Sequence, residues 1–249
     1  LQSGRFGDFS EDLLSAVLEE AGRLASDEVE PVVTAAEKTG ARLENGKVTM
    51  PAGWQGVWNR FVEGGWNSVA SPEAYGGQGL PLTVSMAALE IWNSCSLAFG
   101  LCPTLTSGAV EALNAHASDE LKDRYLPKMI SGEWTGTMNL TEPQAGSDLG
   151  AIRTRAERMP DGTYRIFGQK IFITFGEHDL SGNIIHLVLA RVSDAPAGTR
   201  GISLFVVPKF IPDADGNPGA RNDVICASIE HKLGIHCSPT CVMIYGDGK

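Results

Sequence analysis

The sequence predicts an α+β fold in which an all-helical N-terminal domain precedes an antiparallel β-barrel or β-sandwich domain. The first observation is that apolar residues recur every three or four positions as far as Gly132, as on one face of a helix. The second is that the period changes to two after Gly132, with no helical pattern between the predicted strands. We therefore expect two domains, residues 1–132 and 133–249.

The helical domain begins with a long amphipathic segment. Ser10 is a suitable N-cap for a helix over residues 11–38, which Pro31 should kink or divide. Pro81 and Pro103 suit the first turns of two later helices, because a first-turn amide has no partner within the helix. The further expected helices, in chain order, span residues 53–63, 81–95, 103–117 and 119–131.

The β domain follows from seven runs of alternating polar and apolar residues. They span residues 133–140, 151–158, 163–174, 184–191, 201–207, 224–230 and 240–245. Turn-forming runs rich in Gly, Pro and Asp separate several of these strands, for example residues 160–162 and 213–219. Short strands at regular intervals without intervening helices are typical of antiparallel barrels and sandwiches.

The composition narrows the class of protein. The chain has 249 residues, 43% of them hydrophobic, and a net charge of −10, with no Lys/Arg cluster of the kind that binds nucleic acid. No run approaches the roughly 20 apolar residues that span a bilayer, and no secretory signal is visible. Five cysteines, an odd number, argue against a disulfide framework, so we expect a reducing compartment such as the cytoplasm.

Three short runs carry the functional signal, at residues 138–148, 168–174 and 233–238. In each run a strand-like segment leads into a polar turn with small hydroxyl groups and free amides, which suit an anionic or heteroaromatic ligand. An ordinary tight turn or an amphipathic strand explains any one of them taken alone. A zinc site among His231, His236, Cys237 and Cys241 does not fit the usual ligand spacings.

Together the runs resemble the motifs of the acyl-CoA dehydrogenases. Residues 141–148 read Thr-Glu-Pro-Gln-Ala-Gly-Ser-Asp, like the family's Thr-Glu-Pro-x-Ala-Gly-Ser-Asp. Residues 168–174 resemble Gly-x-Lys-x-Trp-Ile-Thr, with Phe172 in place of the Trp. Residues 232–240 resemble Lys-x-Gly-x-Arg-x-Ser-x-Thr, with His236 in place of the Arg, and residues 72–79 match Pro-Glu-x-x-Gly-Gly-x-Gly.

This resemblance implies a FAD-dependent enzyme that converts an acyl-CoA thioester to a trans-2-enoyl-CoA in fatty-acid metabolism. The residues it implies for flavin binding are Met138, Leu140, Thr141, Gly146, Ser147, Phe172 and Thr174. Those it implies for substrate binding are Ser147, His236 and Ser238. Residues 42–48, 61–66 and 231–235 resemble the longer bacterial branch of the family, which includes 3-methylmercaptopropionyl-CoA dehydrogenase.

The resemblance also implies parts that this chain does not contain. The chain starts without Met and stops after a predicted strand, so we expect a fragment that lacks the family's C-terminal helical domain. Because that domain carries the catalytic carboxylate, no residue here is assigned as catalytic, and the fragment should hold FAD weakly and not turn over. Complete relatives imply a homo-oligomer and an electron-transfer flavoprotein as acceptor.

Two alternatives to a dehydrogenase stay open. An acyl-CoA oxidase or a flavin monooxygenase relative would share this fold and these motifs, and oxygen access to the reduced flavin would distinguish them. A truncated, non-catalytic ligand-binding module is the second alternative.

Overall fold

The computed structural model describes residues 9–247, so residues 1–8 and 248–249 of the two predicted domains lie outside the described residues. Helices make up most of the N-terminal half, which we take as residues 9–132. They are α1 (Glu11–Arg23), α2 (Glu30–Thr39), α3 (Trp54–Glu63), α4 (Leu82–Cys95), α5 (Leu97–His116) and α6 (Asp119–Ser131). A small hairpin, β1 (Arg42–Glu44) and β2 (Lys47–Thr49), lies between α2 and α3 and was not predicted.

The first predicted helix is divided, but ahead of Pro31 instead of at it. Ser10 caps α1 as expected, since its Oγ accepts a hydrogen bond of 3.1 Å from the amide of Leu13. A π-helical segment, Leu24–Val29, then joins α1 to α2. A proline ring collides with the carbonyl four residues earlier in a regular helix, and a π turn relieves that contact.

The helix predicted to start at Pro103 starts six residues earlier, at Leu97. Ser96 provides its cap, because the Ser96 Oγ accepts the Phe99 amide at 3.2 Å. Pro103 therefore lies inside α5, and the prediction of its role was wrong. Burial decides this difference, since Ala98, Phe99 and Cys102 are all within the core and packing outweighs the local preference of proline for a helix start.

The C-terminal half consists of nine strands within the described residues. They are β3 (Trp134–Asn139), β4 (Arg155–Arg158), β5 (Tyr164–Thr174), β6 (Asn183–Val192), β7 (Ser203–Pro208), β8 (Phe210–Pro212), β9 (Pro218–Arg221), β10 (Val224–Ile229) and β11 (Thr240–Tyr245). One seven-stranded sheet runs in the order β10-β11-β5-β4-β6-β3, with β7 also paired to β6. Strands β8 and β9 form a separate hairpin around the turn predicted at residues 213–219, and the two strands themselves were not predicted.

The α+β class is confirmed, and the sheet is mixed instead of wholly antiparallel. Strand β6 pairs in parallel with both β3 and β4, whereas the other pairs of the sheet are antiparallel. The antiparallel expectation assumed that strands close in the chain pair with each other. Here β6 inserts between the earlier strands β3 and β4 and runs in the same direction as both.

Strand β3 connects the two halves, because it is buried on both faces. Trp134 and Met138 pack against the apolar cluster of α5 and α6, and Gly136 lets α5 approach, since a Cβ there would lie 2.5 Å from that of Ala109. Thr135, Thr137 and Asn139 are buried on the other face. Because the halves share this strand, the domain boundary between residues 132 and 133 stays a prediction.

No helix within residues 9–247 combines the length and the apolar character needed to cross a bilayer.

Candidate functional site

The segments that carry Thr141 and Thr174 lie side by side. The Ile171 amide donates a hydrogen bond of 2.9 Å to the Thr141 carbonyl. The buried Thr137 hydroxyl donates to the Thr174 carbonyl at 2.7 Å. The end of β3 and the end of β5 are thus tied together at two points. The structure brings the first two sequence motifs to one place on the β half.

A β-bulge in β5 presents Phe172 to solvent. Pairing between β11 and β5 shifts at this point, because Cys241 faces Ile173 while Met243 faces Lys170. The additional residue gives Phe172 a left-handed conformation, with φ of 59°. Such a conformation is unusual for a bulky residue, and bulges of this kind re-aim side chains next to active sites. The Phe172 ring is 57% exposed, so it is free to cover a flat ligand.

A buried ion pair joins the same two motifs. The Lys170 Nζ lies 2.8 Å from Glu142 Oε1 and 3.0 Å from the Leu140 carbonyl oxygen. Side-chain exposure is 0% for Lys170 and 3% for Glu142, so water contributes little to either charge. Amides of Arg153 and Thr154 donate to the same carboxylate at 2.7 and 3.0 Å. The turn is therefore built around Glu142.

The charge of Glu142 is fixed by these donors. Burial raises the pKa of this carboxyl group, but the hydrogen bond from Lys170 and those from the Arg153 and Thr154 amides outweigh it and lower the pKa to about 2. A carboxylate with this pKa is a poor proton acceptor at neutral pH. Glu142 is therefore a structural residue of the turn.

The hydroxyl groups predicted to contact flavin are available to a ligand. Neither the Thr141 nor the Thr174 hydroxyl has a hydrogen-bond partner among residues 9–247, and both residues are half-buried. Ser147 and Gly146 lie on the exposed part of the turn that follows. Leu140 and Met138 contribute backbone here, since Met138 turns its side chain to the helices. Unsatisfied hydroxyls beside an exposed aromatic ring fit an isoalloxazine.

The predicted substrate residues His236 and Ser238 lie in the turn that leads into β11. The Pro239 carbonyl accepts the Phe175 amide at 2.8 Å, so this turn adjoins the end of β5. Ser238 is buried, and its Oγ has no partner in the described part of the chain. His236 instead contacts Glu37 of α2. Their roles toward a substrate stay predictions.

Sequence reasoning did not single out the polar interior of the sheet. Asn139 Oδ1 accepts a hydrogen bond of 2.6 Å from the Tyr245 hydroxyl, and the Thr135 Oγ1 lies 3.0 Å from His178 Nε2. Burial, and then the Lys209 charge, lower the pKa of both His178 and His186 to about 3. Both rings are therefore neutral at physiological pH. Spread over three strands and two loops, these residues form no motif in the sequence.

Lys170 was within a quoted motif but was not assigned a role. A partial signal was present in the sequence, because the residues two positions away on the same face, Gly168 and Phe172, are not polar, and a buried lysine needs a partner. Across the described residues, no group of three or more His, Cys, Asp or Glu side chains is placed to hold a metal ion.

Comparison with protein families gives two matches that together cover nearly the whole chain. Residues 12–133 match the acyl-CoA dehydrogenase N-terminal domain, and residues 137–247 match the acyl-CoA dehydrogenase middle domain. The chain belongs to the acyl-CoA dehydrogenase family. Members of this family use FAD, which agrees with the chemistry of the residues around Thr141 and Thr174.

Two similar relatives are acyl-CoA dehydrogenases of bacteria. The chain is 53% identical over 240 residues to 3-methylmercaptopropionyl-CoA dehydrogenase of Ruegeria pomeroyi, which covers 96% of this chain and 41% of that protein. It is 41% identical over 240 residues to butyryl-CoA dehydrogenase of Syntrophomonas wolfei, which covers 95% of this chain and 39% of that protein. The chain thus spans about two fifths of the length of these curated relatives.

A solved structure has the same arrangement of elements. The acyl-CoA dehydrogenase of Bacillus anthracis, complexed with FAD, superposes with a TM-score of 0.76 at 25% identity. The match covers 96% of this chain and 36% of that one. Likeness to these proteins extends over both halves, so the fold of the whole described chain is that of the family's first two domains.

Proposed function

We propose that this chain forms the flavin- and acyl-CoA-binding part of a FAD-dependent acyl-CoA dehydrogenase, which converts an acyl-CoA thioester to a trans-2-enoyl-CoA. The observation that carries the proposal is the meeting of Thr141 with the β5 bulge, where two unpartnered hydroxyls and an exposed Phe172 lie at adjoining strand ends. The family membership supplies the reaction class.

Each residue at this place has a stated task in the proposal. Leu140 and Thr141 bind the pyrimidine edge of the isoalloxazine through backbone groups and the Thr141 hydroxyl. The Thr174 hydroxyl donates near N5 and O4, and Phe172 packs against the ring. Met138 and Gly146 shape the backbone on either side. Bound FAD supplies the hydride acceptor for the β-hydrogen of the acyl group.

The polar turn contacts the phosphate-bearing parts of the ligands. Ser147 is exposed and has no protein partner among residues 9–247, so it is free to bind a phosphate of FAD or CoA. We keep Ser238 as a proposed substrate-binding residue, since its buried Oγ has no partner within residues 9–247. Abstraction of the α-proton needs a free carboxylate. We assign none in this chain, because the Glu142 carboxylate is held by Lys170. We propose that a further domain of the complete protein provides it.

The partners follow from the same proposal. A short or sulfur-containing acyl-CoA is the substrate class that the relatives named above suggest. An electron-transfer flavoprotein is the proposed acceptor, and the complete protein is proposed to be a homo-oligomer. The cysteines within residues 9–247 are all free, which supports a reducing location such as the bacterial cytoplasm.

The test is flavin binding and reduction by the complete protein that contains this segment. The purified protein should be yellow, and anaerobic addition of short, long and sulfur-containing acyl-CoAs in turn should bleach the flavin absorbance with one of them. Bleaching that reverses rapidly in air would favour an oxidase. A colourless protein that also ignores added FAD contradicts the proposal.

A pair of matched variants tests the assigned hydroxyl. Thr174→Val should slow flavin reduction by about tenfold, since one hydrogen bond of about 1–1.5 kcal/mol is removed, with little loss of stability because that hydroxyl has no protein partner. Thr49→Val is the control, because Thr49 is an exposed strand residue of β2. Equal slowing by both variants, or equal loss of folding and reduction in Thr174→Val, would refute this role.

A further inference from the structure

The turn before β11 contains a strained residue. Ile235 has φ of 51°, in the left-handed region that β-branched side chains avoid. Such a conformation is unfavourable and persists only where the surrounding structure fixes it. We call residues 233–238 the Ile235 turn. Lys232, just before the turn, contributes two of the contacts that fix it, and the helical half of the molecule contributes others.

Glu37 of α2 supplies two of the contacts from the helical half. Its Oε2 accepts the His236 amide at 2.7 Å, and its Oε1 accepts the Cys237 amide at 3.1 Å. Two successive amides that follow a left-handed residue form a concave site for an anion. In this protein the anion is a carboxylate of the same chain. The Ile235 turn and α2 therefore hold each other across the two halves.

Both ring nitrogens of His236 also take part in this contact region. Its Nδ1 lies 3.1 Å from the Glu37 carbonyl oxygen, and its Nε2 lies 2.9 Å from the Lys232 carbonyl oxygen. The His236 carbonyl accepts the Ala41 amide at 3.0 Å. Both ring nitrogens thus face acceptors of the chain, which leaves neither for a substrate group.

The Ile235 turn leads directly to the proposed flavin site. The Phe175 amide donates to the Pro239 carbonyl at 2.8 Å, and Thr240 is the strand partner of Thr174. A displacement of the turn therefore moves the strand that pairs with Thr174. The path from α2 to Thr174 thus runs through the Glu37 carboxylate, the backbone of the Ile235 turn and the pairing of β11 with β5.

We propose that Glu37 is a positioning residue, which holds the Ile235 turn from the helical half and so sets the position of Thr174, and that His236 belongs to this contact instead of to the substrate site. The effect on Thr174 rests on the function proposed above. The contact itself does not, so the two are tested by different measurements.

The first measurement is amide hydrogen exchange in Glu37→Ala and Glu37→Gln. Loss of a hydrogen bond to a charged group should raise exchange at His236 and Cys237 by about tenfold or more in Glu37→Ala. Exchange at the Phe175 amide should rise as well. Glu37→Gln retains one acceptor oxygen and should give a smaller change. Glu19→Ala is the control, because Glu19 is exposed on α1.

The second measurement is rescue of Glu37→Ala by a small carboxylate. The Glu37 and His236 side chains are 27% and 38% exposed, so formate from solvent can reach the two amides. Sodium formate should restore protection at His236 and Cys237, and sodium chloride at the same ionic strength should not. A residue that only packs would not be replaced by formate. Unchanged exchange in Glu37→Ala, or protection that formate fails to restore, overturns the contact.

The third measurement concerns the effect on ligand binding in the complete protein. Glu37→Ala should weaken FAD binding by about tenfold, and formate should recover it, since the same hydrogen bonds are at stake. If the parent protein binds no FAD, the proposed function is wrong. The exchange results still show whether Glu37 holds the Ile235 turn. If Glu37→Ala binds FAD as the parent does, the positioning role toward Thr174 is wrong.

Discussion

Two turns of this protein are each built around a glutamate, and they differ in where that glutamate comes from. In the turn after β3, Glu142 is part of the turn and is 3% exposed, beside the buried Lys170. In the Ile235 turn, Glu37 reaches in from the helical half and is 27% exposed. The first arrangement fixes two motifs of one sheet, whereas the second ties two halves of the molecule.

The difference shows how one kind of contact serves two purposes. A buried charge that loses its partner is very costly, so the Glu142 turn has one stable arrangement. A half-exposed carboxylate can exchange its partner for water at modest cost, so the Ile235 turn is the more easily opened of the two. We therefore expect the turn around Glu142 to be rigid. The contact between the Ile235 turn and α2 should open more readily.

The largest expected effect comes from breaking the buried pair. Lys170→Met should lower the free energy of unfolding by about 3–5 kcal/mol, because the Glu142 carboxylate is left without its cation. Urea unfolding measures this change. Arg124→Met is the control, since the Arg124–Glu120 pair is exposed and should change stability by less than about 1 kcal/mol. Similar losses in both variants would mean that burial does not make the Glu142–Lys170 pair more costly to break than an exposed pair.

The next effect is acid destabilisation by the buried histidines. The pKa of His178 and of His186 is about 3 in the folded protein, below the ordinary value of about 6.5 in the unfolded chain. The unfolded state therefore binds more protons below pH 6.5, and stability falls as the pH drops from there towards 3. Each histidine should lower the free energy of unfolding by about 2 kcal/mol when the pH falls from 7 to 5.

Glu142 behaves differently over the same range. Its pKa of about 2 when folded lies below that of an unfolded glutamate, so its stabilisation is complete above about pH 4.3 and is lost as the pH falls through 2. Urea unfolding at pH 7, 6 and 5 therefore measures the contribution of the histidines to stability without that of Glu142. His186→Leu should reduce the loss of stability between pH 7 and pH 5 by about half. A parent protein that is equally stable at pH 7 and pH 5 would contradict the lowered pKa of both buried histidines.

The smallest expected effect is relief of strain. Ile235→Gly should stabilise the Ile235 turn by up to about 1 kcal/mol, because glycine adopts a positive φ without a steric penalty. Phe172→Gly should gain a similar amount at the bulge and, unlike Ile235→Gly, should weaken FAD binding through loss of the ring. Thermal unfolding and FAD titration of both variants separate the two. Destabilisation by Ile235→Gly would mean that the packing of the Ile235 side chain against the core outweighs the strain.

The sequence by itself determined the class of fold, the helical and strand patterns, and the motifs that identify the family. These features depend on local spacing, such as the cap at Ser10, the alternation along β5, and the run of residues 141–148, which a chain shows before it folds.

Tertiary structure alone decided which distant residues meet. The parallel pairing of β6, the start of α5 ahead of Pro103, the Glu142–Lys170 pair and the contact of Glu37 with the Ile235 turn all join residues that have no fixed spacing along the chain. Burial and charge compensation select such contacts, and both depend on the whole packed molecule. A motif therefore predicts the residues of a site, whereas the packed fold determines what holds each of them in place.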